Sequence, residues 1–335
     1  MSERLSVIGR RSSVTRRRSS VTGRRLWVVV AAIGLVASSA AAQAGGATHV
    51  LLVTGLSGEP RFATAFHEAA ASIFDAARSR WGVADSSLIY LAEDPALDPT
   101  RIRGRATREN FAAAFGTLAR RSAPGDVVLV VLIGHGSGQG ADSRLSLPGP
   151  DATAADVAVW LRPLAGRTVA LVNAASGSGD FTSQLAGPGR VIVTATKTAF
   201  ERNETTFADH FARALTGLAA DTDRDGRVTL LEAFAYARKE VARGYESRNL
   251  LATEHAQLSD SALARTIAFG LEKRPADPRV AGLIDERRAL EARVDALRRR
   301  KETMDSLAYG QELERLLLAI AEKTAAIRAA EEKRP

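Results

Sequence analysis

The sequence predicts an α/β fold with a mostly parallel central sheet. From His49 onward, patterns typical of strands alternate with patterns typical of helices, which is the order found when helices join parallel strands. In addition, residues 126–138 and 167–179 each contain an unbroken apolar run that ends in glycines and other small residues. Such runs are typical of strands that are buried on both faces. We therefore expect these two strands at the centre of the sheet.

The remaining elements of the domain are predicted in chain order from the same patterns. Thr107 or Asn110 is expected to cap the second helix, because either side chain can accept a hydrogen bond from a free amide of the first turn. Together the elements give a sheet of five or six strands. The further strands are expected at residues 50–55, 87–92, 143–147 and 190–196, and the helices at residues 63–81, 107–121 and 152–164.

Both central strands end in residues that can form a binding site. The first run ends in GHG at residues 134–136, and the second ends in NAAS at residues 173–176. Parallel strands that lie side by side bring their carboxyl ends to one edge of the sheet, where α/β proteins usually bind ligands. His135 is therefore expected beside Ala175 and Ser176.

This pair of strand ends resembles the caspase/legumain group of cysteine peptidases (clan CD), in which one strand ends in His-Gly and a later strand ends in Ala-Cys. The order of elements over residues 48–270 agrees with that group. The resemblance implies a three-layer sandwich with the parallel sheet in the middle. It also implies that His135 assists the nucleophile, that Gly136 lies near the oxyanion, and that Ala175 occupies the position of the nucleophilic cysteine.

The sequence contains no cysteine, so the nucleophile has not moved elsewhere. A methyl group cannot attack a carbonyl, and losing the nucleophile of a comparable triad lowers turnover by about 10⁶-fold. The resemblance therefore implies a pseudoenzyme that binds a peptide or protein partner as a scaffold. The alternative is a hydrolase in which His135 activates Ser176 or Ser178. Residues 176–179 are also consistent with a plain turn after a strand.

The positive charge of the chain is concentrated at its start. Residues 1–44 contain eight arginines and one acidic residue, Glu3, and so carry +7 of the formal net charge of +8. An apolar segment at residues 26–37 and the triplet Ala42-Gln43-Ala44 follow, which is the layout of a secretory signal peptide. We expect an exported protein, periplasmic or secreted, with membrane attachment only through an uncleaved leader. The nearly neutral remainder argues against nucleic-acid binding.

A second motif, DTDRDGRVTLLE at residues 221–232, matches the twelve-residue calcium loop of EF-hand proteins. Calcium prefers oxygen ligands, which the motif supplies at alternate positions, with Gly226 at the sharp turn. Helical patterns flank the loop on both sides. One unpaired loop predicts weak binding, about 10⁻⁴ to 10⁻³ M, and a structural role. The alternatives are a solvated acidic turn and a calcium sensor. The expected ligands are Asp221, Asp223, Asp225, the backbone carbonyl of Arg227, Thr229 and Glu232.

The composition changes to charged helix formers in residues 278–331. Two apolar series, at residues 290–304 and 313–327, are out of phase, and Asp305 between them is a suitable helix cap. We therefore expect an antiparallel hairpin of two helices in preference to one continuous coiled coil. The apolar stripe is expected to pack on its own domain, on another protein, or on a second copy as a homo-oligomer.

Overall fold

The computed structural model describes residues 46–270 and 277–332. The predicted signal peptide, residues 1–44, lies outside these ranges. Within them, no helix combines the length and the apolar character that crossing a membrane requires. Residues 46–270 form an α/β domain, and two long helices follow it.

The strands of the domain form one large sheet and two small ones. In chain order they are β1 (Thr48–Thr54), β2 (Leu88–Ala92), β3 (Gly104–Arg105), β4 (Val127–Ile133), β5 (Gly136–Ser137), β6 (Arg144–Leu145), β7 (Ala152–Thr153), β8 (Thr168–Asn173), β9 (Arg190–Thr194), β10 (Val228–Thr229), β11 (Gln257–Leu258) and β12 (Ala268–Phe269). Among the described residues, the large sheet has seven strands in the order β11-β9-β8-β4-β1-β2-β3. Its neighbouring strands are parallel except for β11 with β9, so the sheet is mostly parallel.

Helices cover both faces of this sheet. They are α1 (Pro60–Ser79), α2 (Arg108–Arg121), α3 (Ala154–Trp160), α4 (Asp180–Leu185), α5 (Phe207–Thr216), α6 (Leu230–Ser247), α7 (Ser261–Thr266), α8 (Pro278–Arg299) and α9 (Ser306–Glu332). Val50 and Leu52 of β1 belong to an apolar cluster with α1, α5 and α6. Leu51 and Val53, which alternate with them, belong to a second cluster with α2, α3 and α4. The sheet is therefore the middle layer of three.

The strand count differs from the five or six predicted. The two edge strands β3 and β11 are each two residues long, and so short a strand has no apolar periodicity to detect. The short strand predicted at residues 143–147 exists as β6, but it lies in a separate antiparallel sheet with β5 and β7.

The two apolar runs of the sequence lie next to each other at the centre of the large sheet. β4 pairs in parallel with β8, with Leu132 opposite Asn173, and β1 flanks β4 on its other side. Every residue of β4 and β8 after the first is buried. Because the strands are parallel and in register, their carboxyl ends reach the same edge of the sheet.

Helices α8 and α9 pack antiparallel against each other, and residues 278–332 are termed the hairpin. One apolar cluster contains Val280 near the start of α8 and Ile327 near the end of α9. A second cluster contains Val294 near the end of α8 and Leu316 in the first half of α9. This pairing of early with late residues requires the chain to reverse direction between the helices.

Candidate functional site

The carboxyl ends of β4 and β8 bring several of the predicted site residues together. The amide of Ala174 donates a hydrogen bond to the carbonyl oxygen of Leu132 at 2.8 Å, which continues the parallel pairing past the end of β8. A β-carbon built on Gly136 would lie 3.6 Å from the β-carbon of Ala175. The structure thus places the turn that carries His135 directly beside Ala175.

The ring of His135 lies among aromatic side chains of α1. The rings of Phe62 and Phe66 meet it edge to face, with centroids 4.7 and 5.3 Å away. Its Nε2 lies 3.2 Å from the carbonyl oxygen of Ser57, a contact that is a hydrogen bond when Nε2 carries the proton. In that tautomer Nδ1 carries a lone pair and no proton.

A carboxylate that the sequence analysis did not select supports this arrangement. Glu93 follows β2 directly and accepts hydrogen bonds from the amide and the hydroxyl of Ser57 at 2.9 and 2.7 Å. Because the carbonyl of Ser57 faces His135, Glu93 fixes the loop that orients the histidine ring. The signal available in the sequence was a polar residue directly after a buried strand, the same signal that selected His135.

Gly136 lies where two loops approach closely. A β-carbon at this position would lie 2.5 Å from the carbonyl oxygen of Ser176 and 2.8 Å from that of Arg144, which is too close for any side chain. The amide of Gly136 donates to the hydroxyl oxygen of Ser176 at 3.3 Å. The amide that the resemblance assigns to the oxyanion is therefore engaged by a serine hydroxyl.

Ser176 and Ser178 are held by groups other than the histidine. Within the described residues, neither serine has a hydrogen bond to His135. The Ser178 hydroxyl lies 3.2 Å from the hydroxyl of Thr196 and accepts from the Thr196 amide at 3.3 Å. Ser176 is 3% exposed and Ser178 is 2% exposed. Both hydroxyls are thus turned into the protein.

The second group of predicted site residues lies in the loop between α5 and α6. One carboxylate oxygen from each of Asp221, Asp223 and Asp225 lies within 4.8 Å of the other two. Gly226 has a φ of 82°, the left-handed conformation that the sharp turn requires and that glycine adopts without strain. Three carboxylate oxygens at this spacing can hold a metal ion.

Two of the other predicted ligands begin helix α6 and are not part of the aspartate group. The hydroxyl of Thr229 accepts from the Glu232 amide at 3.2 Å, and the Glu232 carboxylate accepts from the Thr229 amide at 2.9 Å, which is a capping box. Glu232 also accepts from the Thr222 amide at 2.9 Å. Ligation by Glu232 therefore requires its side chain to turn. The Arg227 side chain donates to the carbonyl oxygen of Ala268 at 2.9 Å.

The aspartate group concentrates negative charge in a partly buried place. Burial and then the charge of Asp225 raise the pKa of Asp223 to about 7, against the lowering effect of Arg287. Burial also raises the pKa of Asp221. Burial thus makes both carboxylates costly to ionise, in Asp223 even with Arg287 beside it, and further positive charge in the loop would favour their ionised forms.

Two arginines of helix α8 contact this loop. Nη2 of Arg287 lies 2.7 Å from Oδ2 of Asp223, and Nη2 of Arg288 donates to Oδ2 of Asp225 at 2.7 Å. The sequence analysis missed both arginines. They lie 64 and 63 positions beyond their partners, and no local pattern connects residues at such a separation.

The chain matches no protein-family model and no curated protein. One solved structure with similarity to it is the crystal structure of protein GSU0716 from Geobacter sulfurreducens. That similarity has a TM-score of 0.43 and a sequence identity of 13%, and it covers 66% of this chain and 97% of that chain. A similarity this low carries no argument about function, which depends on the geometry of the chain itself.

Proposed function

We propose that the protein is an exported pseudoenzyme of the caspase/legumain type that binds an extended peptide or a protein segment without cleaving it. The observation that supports this proposal is the methyl group of Ala175 beside Gly136 and the His135 turn. In the resembling peptidases this is the position of the nucleophile. The histidine remains, whereas the Gly136 amide donates to the Ser176 hydroxyl and the atom that would attack a carbonyl is absent.

The contacts of the nearby serines favour binding over hydrolysis. A serine nucleophile needs a base within hydrogen-bond reach of its hydroxyl. The Ser176 hydroxyl is next to the Gly136 amide, and the Ser178 hydroxyl is next to Thr196. Both are buried. A hydrolase using either serine would require rearrangement of the turn after β8.

The aromatic rings beside His135 are the surface that we assign to the ligand. Phe62 and Phe66 are partly exposed and flank the histidine ring. An apolar side chain of an extended segment can pack on these rings while its backbone follows the sheet edge. The Phe62→Ala change is expected to weaken peptide binding, whereas Val159→Ala, a partly exposed position on α3, leaves it unchanged.

The loop at residues 221–232 is proposed to bind calcium. Its donors are carboxylate oxygens, which suit hard cations, and its spacing is that of an EF-hand loop. The bound ion would join α5 to α6, a structural role. Isothermal titration calorimetry with calcium tests this proposal, and the Asp221→Asn change is expected to abolish calcium binding. The control is Asp209→Asn, an exposed aspartate on α5 that pairs with Arg213.

Hydrolysis of a mixed peptide library tests the pseudoenzyme proposal. The full chain is compared with Ala175→Cys and with the double change Ala175→Cys, His135→Ala. We expect the single change to cleave at least 100-fold faster than the natural chain and the double change to lose that gain, because the thiol then lacks its base. Cleavage by the natural chain that is lost in Ser176→Ala or Ser178→Ala would establish the serine alternative instead.

A second proposal concerns the hairpin. Its exposed apolar residues on α9, which include Leu307 and Leu318, are 70% and 59% exposed. Self-association of two copies through this surface is one of the three packings expected for the apolar stripe, beside its own domain and another protein. Sedimentation of the full chain beside Leu318→Glu tests it, and a monomer for both proteins would reject it.

A further inference from the structure

The guanidinium group of Arg287 is an unusually buried positive charge. Its side chain is 1% exposed, and it points from α8 into the loop of aspartates. Nη1 donates to the backbone carbonyl oxygen of Asp223 at 2.7 Å, and Nη2 lies 2.7 Å from its Oδ2. Arg287 thus holds the side chain and the backbone of one predicted metal ligand at the same time.

Arg288 repeats the contact on the neighbouring aspartate. Its Nη2 donates to Oδ2 of Asp225, a carboxylate that is 8% exposed. Consecutive residues of one helix therefore neutralise two of the three aspartates. The helix supplies to the loop the positive charge that a metal ion would supply.

In the part of the chain that the structure describes, no cluster of buried apolar residues has members in both the hairpin and the domain. The two apolar clusters of the hairpin contain hairpin residues alone. The two large clusters on the faces of the sheet contain residues no later than Phe269. The ion pairs of Arg287 and Arg288 with the loop are contacts that do cross between the two parts.

A guanidinium group and a divalent cation cannot both occupy this loop without cost. Two positive centres a few ångströms apart in a partly buried place repel each other strongly, at an effective dielectric constant of about 20. Both arginines contact Oδ2 of their aspartates, so a bound ion would have to share the charge of Asp223 and Asp225 with them. Binding of the ion and docking of α8 therefore oppose each other.

We infer that α8 is an internal counter-ion for the metal loop, and that the hairpin leaves the loop when a divalent cation binds there. This inference rests on the calcium proposal and adds a regulatory consequence to it. By linkage, each process weakens the other by the same factor. The weak affinity expected of an unpaired loop is then partly the result of competition with Arg287 and Arg288.

Calcium titrations of the full chain and of Arg287→Met measure the competition. Methionine preserves much of the side-chain volume and removes the charge, and we expect calcium to bind the variant about tenfold or more tightly. Arg288→Met is the second variant. It changes a less buried residue, so it still tests the competition if Arg287→Met fails to fold. Arg293→Met is the matched control, because Arg293 lies on α8 and pairs with Glu312 of α9.

Hydrogen exchange of the full chain with and without calcium measures the release. We expect amides of α8 to exchange faster with calcium, while those of β4 are unchanged. Equal calcium affinity in all variants, or unchanged exchange of α8 with saturating calcium, would overturn the inference and leave the calcium site standing. Absence of calcium binding in the natural chain and in both arginine variants would overturn the calcium proposal itself. Binding in the variants alone supports the inference.

Discussion

Gly136 shows how a single residue determines whether the candidate site can form. The carbonyl oxygens of Ser176 and Arg144 occupy the space where a side chain would begin. Both are backbone atoms, so neither can move aside without shifting a loop. The absence of a side chain at this position lets the turn after β8 lie against the turn after β4.

We predict that Gly136→Ala lowers the free energy of unfolding by about 2 kcal/mol or more, because the new methyl group overlaps backbone atoms. Urea denaturation followed by circular dichroism measures the change. Gly187→Ala is the control, since nothing lies within 4 Å of a β-carbon at that position. Its effect is expected to stay within about 0.5 kcal/mol. Equal stability of the two variants would mean that the close approach at Gly136 is absent in solution.

Helices α8 and α9 stabilise each other through the apolar clusters between them. Both apolar clusters of the hairpin combine residues of α8 and α9, so each helix buries its apolar side chains against the other. Leu316 is 2% exposed within one cluster, whereas the next residue, Leu317, is 47% exposed. Substitution of either leucine by alanine changes the intrinsic helix propensity by the same amount. A difference in stability between the two variants therefore measures the packing of Leu316.

Leu316→Ala is therefore expected to destabilise the hairpin by about 2 to 3 kcal/mol, through lost burial and the cavity that remains. Leu317→Ala serves as the control and should cost less than about 0.5 kcal/mol. Hydrogen exchange of α8 and α9 reports the effect, while exchange in the large sheet stays unchanged because its clusters contain no hairpin residue. Faster exchange of β4 in Leu316→Ala would show that the two parts unfold together.

At the scale of the whole molecule, the described residues contain two parts with separate apolar cores. The α/β domain has one core on each face of its sheet, and the hairpin has its own smaller clusters. Charge connects them through Asp223 and Asp225. The loop that carries Asp221, Asp223 and Asp225 therefore lies at the junction of the two parts, where the proposed binding of an ion is expected to affect both.

A chain that ends after Gly270 is predicted to keep the folded α/β domain, because the two large cores contain no residue beyond Phe269. Its melting temperature should rise more on addition of calcium than that of the full chain, since Asp223 and Asp225 have then lost their arginine partners. Thermal unfolding by circular dichroism with and without calcium tests this. A shortened chain that is unfolded in both conditions would contradict the independence of the domain.

Features that depend on neighbouring residues could be predicted from the sequence alone. The apolar runs that became β4 and β8, the Thr107 cap of α2, and the spacing of the aspartates are local patterns, because burial on a strand and turn geometry repeat over a few residues. Their order along the chain also placed His135 and Ala175 at one sheet edge, since parallel strands share that edge.

Contacts between distant segments could not be predicted from the sequence, because they depend on how the elements pack. These contacts include the pairing of the two-residue strands β3 and β11, the support of Ser57 by Glu93, and the ion pairs of Arg287 and Arg288 of α8 with the aspartates of the loop. A two-residue strand has no periodicity, and an arginine on a helix has the same sequence signature whether it faces solvent or a buried carboxylate. Which of these it does depends on where the hairpin packs, and that is set by the fold as a whole.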